Sequence, residues 1–120
     1  MPDDRLQKDL LRGSLDLMVL SVLAEGSTYG YGIQKRIAAV SGGAVRVQAG
    51  TLYPLLHRLE ADGAVRCRWD RAGGRARKWY ELTAAGRRRL RDQASQWEQH
   101  AATIRQLLEA ALPGRPSTSS

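Results

Sequence analysis

A repeating apolar seam near the end of the chain constrains the fold more strongly than any other feature. Apolar residues recur there at alternating steps of four and three, at Leu90, Ala94, Trp97, Ala101, Ile104, Leu108 and Ala111. This spacing predicts one long helix over residues 84–112, which begins after the capping residue Thr83 and stops before Pro113. A single copy of such a helix leaves an apolar face uncovered, so the seam predicts a homodimer.

Three further helices are predicted in the first half of the chain. Apolar residues follow helical spacing over residues 5–24, 29–41 and 50–62. In the third of these helices one face is formed by Leu52, Leu55, Leu56 and Leu59. Pro54 lies in the same segment, and because proline is tolerated only near the start of a helix, we expect this helix to begin at about residue 50.

Residues 64–82 have the alternating pattern of a β-hairpin. Apolar and polar side chains alternate on both sides of a glycine-rich turn, as expected for two antiparallel strands. A shorter alternating segment over residues 45–48 predicts an additional strand. Within the hairpin, the residues that we assign to packing are Trp69, Tyr80 and Leu82.

The positive charge of the chain is concentrated around this hairpin. The formal net charge is +7, and residues 64–91 contribute ten basic and two acidic side chains, a net charge of +8. The residues before this segment have equal numbers of basic and acidic side chains, and those after it carry a net charge of −1. Nine of the ten basic residues are arginine, whose planar guanidinium matches phosphate geometry. We therefore interpret the segment as a nucleic-acid contact rather than as a solvated charge run.

The order of the predicted elements indicates the fold class. Helix, helix, short strand, helix, hairpin and long helix is the order of a winged helix-turn-helix followed by a dimerisation helix. The fold is thus expected to be mainly α with a small β-hairpin. We expect a DNA-binding domain over residues 1–83, a dimerisation helix over residues 84–112 and a disordered tail over residues 113–120. In this arrangement the third helix enters the major groove and the hairpin, the wing, lies beside it.

Several short motifs follow one another in a specific order. They are Tyr29-Gly30-Tyr31, the segment GTLYPLLHRLE at residues 50–60, Trp69, the segment RARKWYELT at residues 75–83, and Trp97. Over about residues 10–100 the chain resembles the PadR family of transcriptional regulators, in its short branch with a single C-terminal helix. The resemblance implies a dimeric repressor that binds a dyad-symmetric DNA operator and is released by a small molecule or a stress signal.

The candidate DNA contacts lie on the second helix, the third helix and the wing. They are Lys35, Thr51, Tyr53, Pro54, His57, Arg58, Arg71, Arg75, Arg77 and Lys78. Thr51 and Tyr53 suit phosphates or base edges, and Pro54 suits a sugar or a thymine methyl group. Two alternatives stay open: Tyr53 packs under the wing, or Arg58 pairs with Asp62 four residues later.

The dimer interface and any effector site are expected on the first and last helices. The candidate residues are Leu11, Leu15, Ala94, Trp97, Ala101, Ile104 and Leu108. Trp97 lies between two alanines of the seam, so two copies leave space for a flat aromatic or cationic effector. The alternative is that Trp97 serves only as a hydrophobic anchor of the interface.

Enzymatic chemistry, cofactors and metals are not expected. His57 and His100 are separated by 43 positions, no metal-ligand spacing is present, and no G-x-S-x-G motif occurs. Cys67 is the one cysteine, so no internal disulfide forms, and we interpret it as an inert inward-facing thiol, with a redox switch as the alternative.

The chain lacks a membrane-length apolar run and begins with a polar segment, so we expect a cytoplasmic protein without membrane contact. The remaining functional alternative is a scaffold that binds nucleic acid without sequence preference.

Overall fold

The computed structural model describes the backbone of residues 4–114 and the side chains of residues 14–114 except that of Ala72. Within this part, four helices and three strands follow one another: α1 (Asp4–Glu25), β1 (Thr28–Tyr29), α2 (Gly30–Val40), α3 (Ala49–Ala61), β2 (Val65–Asp70), β3 (Arg77–Leu82) and α4 (Ala84–Ala111). A short 3₁₀ turn, Ala72–Gly74, joins β2 to β3. The architecture is the predicted one, mainly helical with a winged helix and a long C-terminal helix.

The three strands form one antiparallel sheet in the order β1-β3-β2. β2 pairs with β3 from Val65 opposite Leu82 to Asp70 opposite Arg77. Because residues opposite one another share a face, the pairing defines a core face, formed by Val65, Cys67, Trp69, Lys78, Tyr80 and Leu82. The outer face is formed by Arg66, Arg68, Asp70, Arg77, Trp79 and Glu81. The β2–β3 hairpin with its turn is the wing.

The apolar core joins α1, α2 and α3 to the core face of the sheet. Its members include Val19, Leu20, Leu23, Ile33, Ile37, Leu52, Leu55, Leu56, Leu59, Tyr80 and Leu82. The predicted packing roles of Tyr80 and Leu82 are therefore confirmed. The prediction for Trp69 was wrong, because its side chain is 65% exposed. Trp69 lies at the wing end of the core face, where burial of the sheet ends.

Hydrogen bonds at the ends of α3 fix its length. The amides of Thr51 and Leu52 donate to the carbonyl of Gln48 at 3.0 and 2.9 Å, so the helix begins at Ala49, one residue before the predicted start. Pro54 therefore lies in the second turn, where its ring is exposed. At the other end, the Ala64 amide donates to Leu59 at 2.9 Å.

The predicted strand over residues 45–48 is absent from the described structure, and these residues form a loop. Val47 is buried in the core, and the Gln34 side chain donates a hydrogen bond to its carbonyl at 2.8 Å. The alternating pattern thus reflects one anchored valine in a loop. The place beside β3 is taken instead by β1, whose Thr28 lies opposite Tyr80.

The start of α4 is fixed by Thr83, as predicted. The Gly86 amide donates to the Thr83 hydroxyl at 3.0 Å, and that hydroxyl donates to the Gly63 carbonyl at 2.7 Å. The chain divides into two compact units, Met1–Leu90 and Arg91–Ser120. This division falls inside α4, seven residues after the domain boundary expected at residue 83. The expected tail over residues 113–120 lies outside the described residues beyond Gly114.

The packing of Gly86 generates a test of the fold. A β-carbon at this position would collide with the carbonyl oxygen of Ala64 and the side chain of Leu82. We expect Gly86→Ala to lower the free energy of unfolding by about 2 kcal/mol, since backbone must move to admit the methyl group. The measurement is urea unfolding followed by circular dichroism at a fixed protein concentration.

Gly50→Ala is the matched control, because a β-carbon at Gly50 meets no atom. It is expected to leave the stability unchanged or to raise it by up to about 1 kcal/mol through helix propensity. Equal unfolding free energies for the two variants would contradict the proposed packing of α4 on the sheet.

Candidate nucleic-acid interface

The outer side of α3 is an exposed row of polar and aromatic side chains. Its inner side is fixed by the four buried leucines of the core. Because the two sides of a helix are separated by its 3.6-residue period, burial of the leucines turns the predicted contact residues outward. These exposed residues are Thr51, Tyr53, Pro54, His57 and Arg58. The structure thus brings the predicted α3 residues together on one surface.

Tyr53 lies against the start of α2. A β-carbon at Gly30 would collide with the hydroxyl and ring of Tyr53, so the glycine makes room for this close contact. The tyrosine nevertheless remains partly exposed. Contact with Gly30 fixes the ring at the edge of the α3 surface and explains why a glycine stands between Tyr29 and Tyr31.

The wing carries exposed arginines around a tight turn. Gly73 and Gly74 adopt φ values of 78° and 77°, a conformation that side chains disfavour, so the turn depends on glycine. Arg71, Arg75 and Arg77 are exposed, and none of the ion pairs among the described residues engages them. These three cations form a surface suited to phosphate groups.

Lys78 is placed differently from the three arginines. It lies on the core face of the sheet, where its ammonium is 3.4 Å from the Glu60 carboxylate of α3 and 5.7 Å from the centre of the Tyr80 ring. Its side chain is mostly buried. The structure therefore separates Lys78 from the exposed wing cations and makes it a link between the wing and α3.

Arg58 takes part in an ion-pair network that connects three helices. Its guanidinium is 3.4 Å from Asp16 of α1, and Arg89 of α4 binds Asp16 at 3.3 Å and Asp62 at 3.0 Å. The alternative pairing of Arg58 with Asp62 was therefore wrong, because Arg89 occupies Asp62. The Arg58 side chain is still 60% exposed, so one long contact to Asp16 leaves most of its donors free.

An aromatic and cationic cluster on the outer face of the sheet was missed by the sequence reasoning. Tyr29 of β1 meets Trp79 edge to face at 5.5 Å, and the Arg77 guanidinium lies 5.0 Å above the Tyr29 ring. Arg68 lies 5.9 Å from the Trp79 ring. These contacts orient Arg77, and they depend on the pairing of β1 with β3, which the sequence pattern did not indicate.

The one predicted contact outside α3 and the wing is Lys35 of α2. Its ammonium lies 5.5 Å from the centre of the Tyr31 ring, and both side chains are exposed. Tyr31 is in turn 6.4 Å from Tyr29. Lys35 is therefore continuous with the outer-face cluster, and the tyrosines of the Tyr29-Gly30-Tyr31 motif are not core residues.

Cys67 lies beside Glu60 and Lys78 on the core face. Burial raises the pKa of the Cys67 thiol to about 11, and the hydrogen bond to the Glu60 carboxylate acts in the same direction. The same hydrogen bond, together with the Lys78 ammonium, holds the pKa of Glu60 below its ordinary value. Burial also raises the pKa of Tyr80 to about 12. The thiol is thus protonated at neutral pH, as expected for an unreactive cysteine.

The predicted interface residues of α4 lie in the second compact unit. Trp97 is 51% exposed, Ile104 is also exposed, and Ala94, Ala101 and Leu108 are half-buried. Two exposed leucines, Leu107 and Leu112, widen the apolar surface and were missed because they lie off the heptad positions.

The predicted interface residues of α1 have a different outcome. Leu15 is 4% exposed within its own core, so it does not offer a surface to a partner. The helical spacing that suggested an interface instead reflects burial in the core of its own chain. The side chain of Leu11 lies outside the described residues.

No helix of the described chain is long and apolar enough to span a membrane. Among residues 14–114, histidine, cysteine and carboxylate side chains form no group that could hold a metal ion.

The protonated state of Cys67 generates a pH prediction. We expect iodoacetamide to alkylate the folded chain slowly at about pH 8.5, because the thiolate is scarce below a pKa of about 11. The rate should rise to a midpoint near pH 11, whereas the urea-unfolded chain should titrate near the ordinary value of 9.0. Because folding raises this pKa, the thiol stabilises the fold below pH 9 and ceases to do so as the pH approaches 11. Rapid alkylation at pH 8.5 in the folded state would contradict this account.

The chain matches a known family over most of its described length. Residues 19–92 match the transcriptional regulator PadR-like family. A transcriptional regulator of Mycobacterium tuberculosis is 37% identical over 83 residues, which cover 69% of this chain and 75% of that protein.

Solved structures agree with the sequence match. A PadR family transcriptional regulator from Eggerthella lenta has a TM-score of 0.78 and 38% identity, and the match covers 88% of this chain and 90% of that one. A transcriptional regulator from Clostridium thermocellum has a TM-score of 0.77 and 30% identity, with coverage of 82% and 96%. These relatives are regulators and not enzymes, in agreement with the sequence analysis. The chain belongs to the PadR-like family of transcriptional regulators, and its partner is DNA.

Proposed function

We propose that the chain is a homodimeric, cytoplasmic repressor that binds a dyad-symmetric DNA operator through α3 and the wing. The observation that carries the proposal is the exposed row on α3, whose inner side is fixed in the core. Thr51 and Tyr53 near the helix start suit phosphates or base edges, and Pro54 suits an apolar sugar or thymine surface. His57 and Arg58 extend the contact by one turn.

The wing supplies the sequence-independent part of the affinity. Arg71 and Arg75 border the glycine turn, and Arg77 is held over the ring of Tyr29. A guanidinium held in place loses less freedom on binding phosphate than a mobile one. Lys35 contributes from the middle of α2, whereas Lys78 supports the site by linking the wing to Glu60.

The apolar surface of α4 supports the homodimer. Trp97 and Ile104 expose large apolar side chains at seam positions, and a small chain rarely leaves such a stripe uncovered. Two copies related by a dyad present two α3 helices to one duplex. Their separation must match one turn of the duplex, about 34 Å, for both to enter the major groove.

Release from DNA is proposed to occur through the same interface. Trp97 between two alanines leaves room for a flat aromatic or cationic effector in the dimer. An effector that binds one arrangement of the two copies better than the other shifts their equilibrium and changes the spacing of the recognition helices. In the alternative, Trp97 only anchors the interface, and an effector does not alter affinity for the operator.

The wing arginines can be tested by the salt dependence of binding. A duplex is first selected from a random library by the wild-type protein, and a scrambled duplex of equal length is the reference. We expect Arg71→Ala and Arg75→Ala each to weaken binding to both duplexes and to reduce the slope of log affinity against log salt by about 0.9. Arg105→Ala, which removes an exposed arginine of α4, is the control and should leave the slope unchanged.

If the wild-type protein bound the selected and scrambled duplexes with equal affinity, the result would contradict a sequence-specific repressor and favour the nonspecific scaffold. If the slope of log affinity against log salt were unchanged in both wing variants, the wing would not contact the DNA phosphates.

The dimer can be tested by placing a charge in the seam. Ile104→Glu puts a carboxylate on an exposed apolar position, so we expect dissociation to monomers and a loss of affinity for the selected duplex of at least about tenfold. Gln99→Glu adds the same charge on the opposite side of α4 and should keep the dimer. Sedimentation equilibrium gives the oligomeric state. A stable Ile104→Glu dimer, or a monomeric wild-type chain, would contradict the proposal.

A further inference from the structure

Trp69 is an unusually exposed aromatic residue on the wing. Its side chain is 65% exposed, although the other members of the core face pack in the interior or bond to α3. An indole at this exposure leaves most of its apolar plane accessible to a partner, and its ring can pack on an apolar surface.

The strand register shows the direction in which Trp69 faces. It lies opposite Lys78, and Cys67 lies opposite Tyr80 on the same face. Lys78 and Cys67 both contact Glu60 of α3, so this face of the wing is the one that α3 covers. On this face Trp69 is the next residue after Cys67 in the direction of the wing turn. It therefore lies on the same side of the hairpin as α3, beyond the part of the sheet that α3 covers.

The charges around Trp69 indicate which partner fits. Lys78 lies opposite it on the same face, Arg71 follows within two residues and Arg75 lies across the turn, and both arginines are exposed. An apolar plane set among cations is poorly suited to a second copy of a basic surface, since the arginines would repel one another. It is suited to a sugar–phosphate backbone, whose deoxyribose rings are apolar and whose phosphates take the arginines.

We propose that Trp69 is a further DNA contact, whose indole packs on the deoxyribose of the backbone that runs between α3 and the wing. This inference rests on the proposed function, because it assumes that α3 enters the major groove. The contact is apolar and releases no counterion. It therefore adds affinity that does not depend on salt, alongside the salt-dependent contacts of Arg71 and Arg75.

Salt-dependent binding separates the two kinds of contact. Affinity for the selected duplex is measured by fluorescence anisotropy between about 50 and 200 mM salt. We expect Trp69→Ala to weaken binding about tenfold at every salt concentration with an unchanged slope, and Trp69→Phe to lose less. Val40→Ala removes another exposed apolar side chain, at the end of α2 and 70% exposed, and should bind as the wild type does. Thermal unfolding verifies that each variant is folded.

Each outcome decides between the claims. Unchanged affinity of Trp69→Ala with a reduced slope for Arg71→Ala overturns the role of Trp69 and leaves the proposed function in place. Unchanged affinity for both Trp69→Ala and Arg71→Ala overturns the role of Trp69 and of the wing contacts, whereas equal affinity of the wild-type protein for the selected and scrambled duplexes overturns the proposed function itself. A change in sedimentation of free Trp69→Ala shows that a second copy covers the indole and overturns the DNA contact.

Tryptophan emission gives an independent readout. Saturation with the selected duplex should protect the wild-type chain from acrylamide quenching, and Trp69→Phe should lose this protection. Protection that persists in Trp69→Phe would come from Trp79 or Trp97 and would contradict the contact.

Discussion

Burial of the four leucines of α3 is the constraint on which the DNA-binding surface depends. Leu52, Leu55, Leu56 and Leu59 pack against α1, α2 and the sheet, and they fix the rotation of α3 about its axis. Once this rotation is fixed, the polar and aromatic side chains of the same helix face outward. Folding and recognition are thus carried by opposite sides of one amphipathic helix, and substitutions on the outer side can alter the binding of DNA with little effect on stability.

The acidic residues of the first unit divide the cations into two groups. Asp16 binds both Arg58 and Arg89, and Asp62 also binds Arg89, which links α1, α3 and α4. Glu60 binds Lys78, which links α3 to the wing. The arginines around the wing turn lie outside this network. The excess positive charge that the sequence concentrates in residues 64–91 is therefore partly structural, and the exposed remainder faces solvent where a polyanion can reach it.

The sequence pattern predicted α3, the hairpin and α4 well, because in each of them the periodic pattern extends over many residues. It failed where one contact decides the outcome. The segment around Val47 has the pattern of a strand because Val47 is buried in the core although it lies in a loop. β1 has only two residues, and a strand of this length is too short to produce a pattern. Among the site residues, the outward side of α3 followed from helical geometry. The inward turn of Lys78 and the pairing of Arg89 with Asp62 are tertiary contacts that no local spacing records.

In the proposed dimer, two α3 helices read one duplex. Hydroxyl-radical footprinting of the wild-type protein on a genomic fragment that it selects tests this arrangement, because the method resolves each protected backbone segment. We expect two equivalent protected segments related by a dyad, with centres about one helical turn, or 34 Å, apart on one face of the duplex. A single protected segment, or protection without a fixed centre, would contradict it.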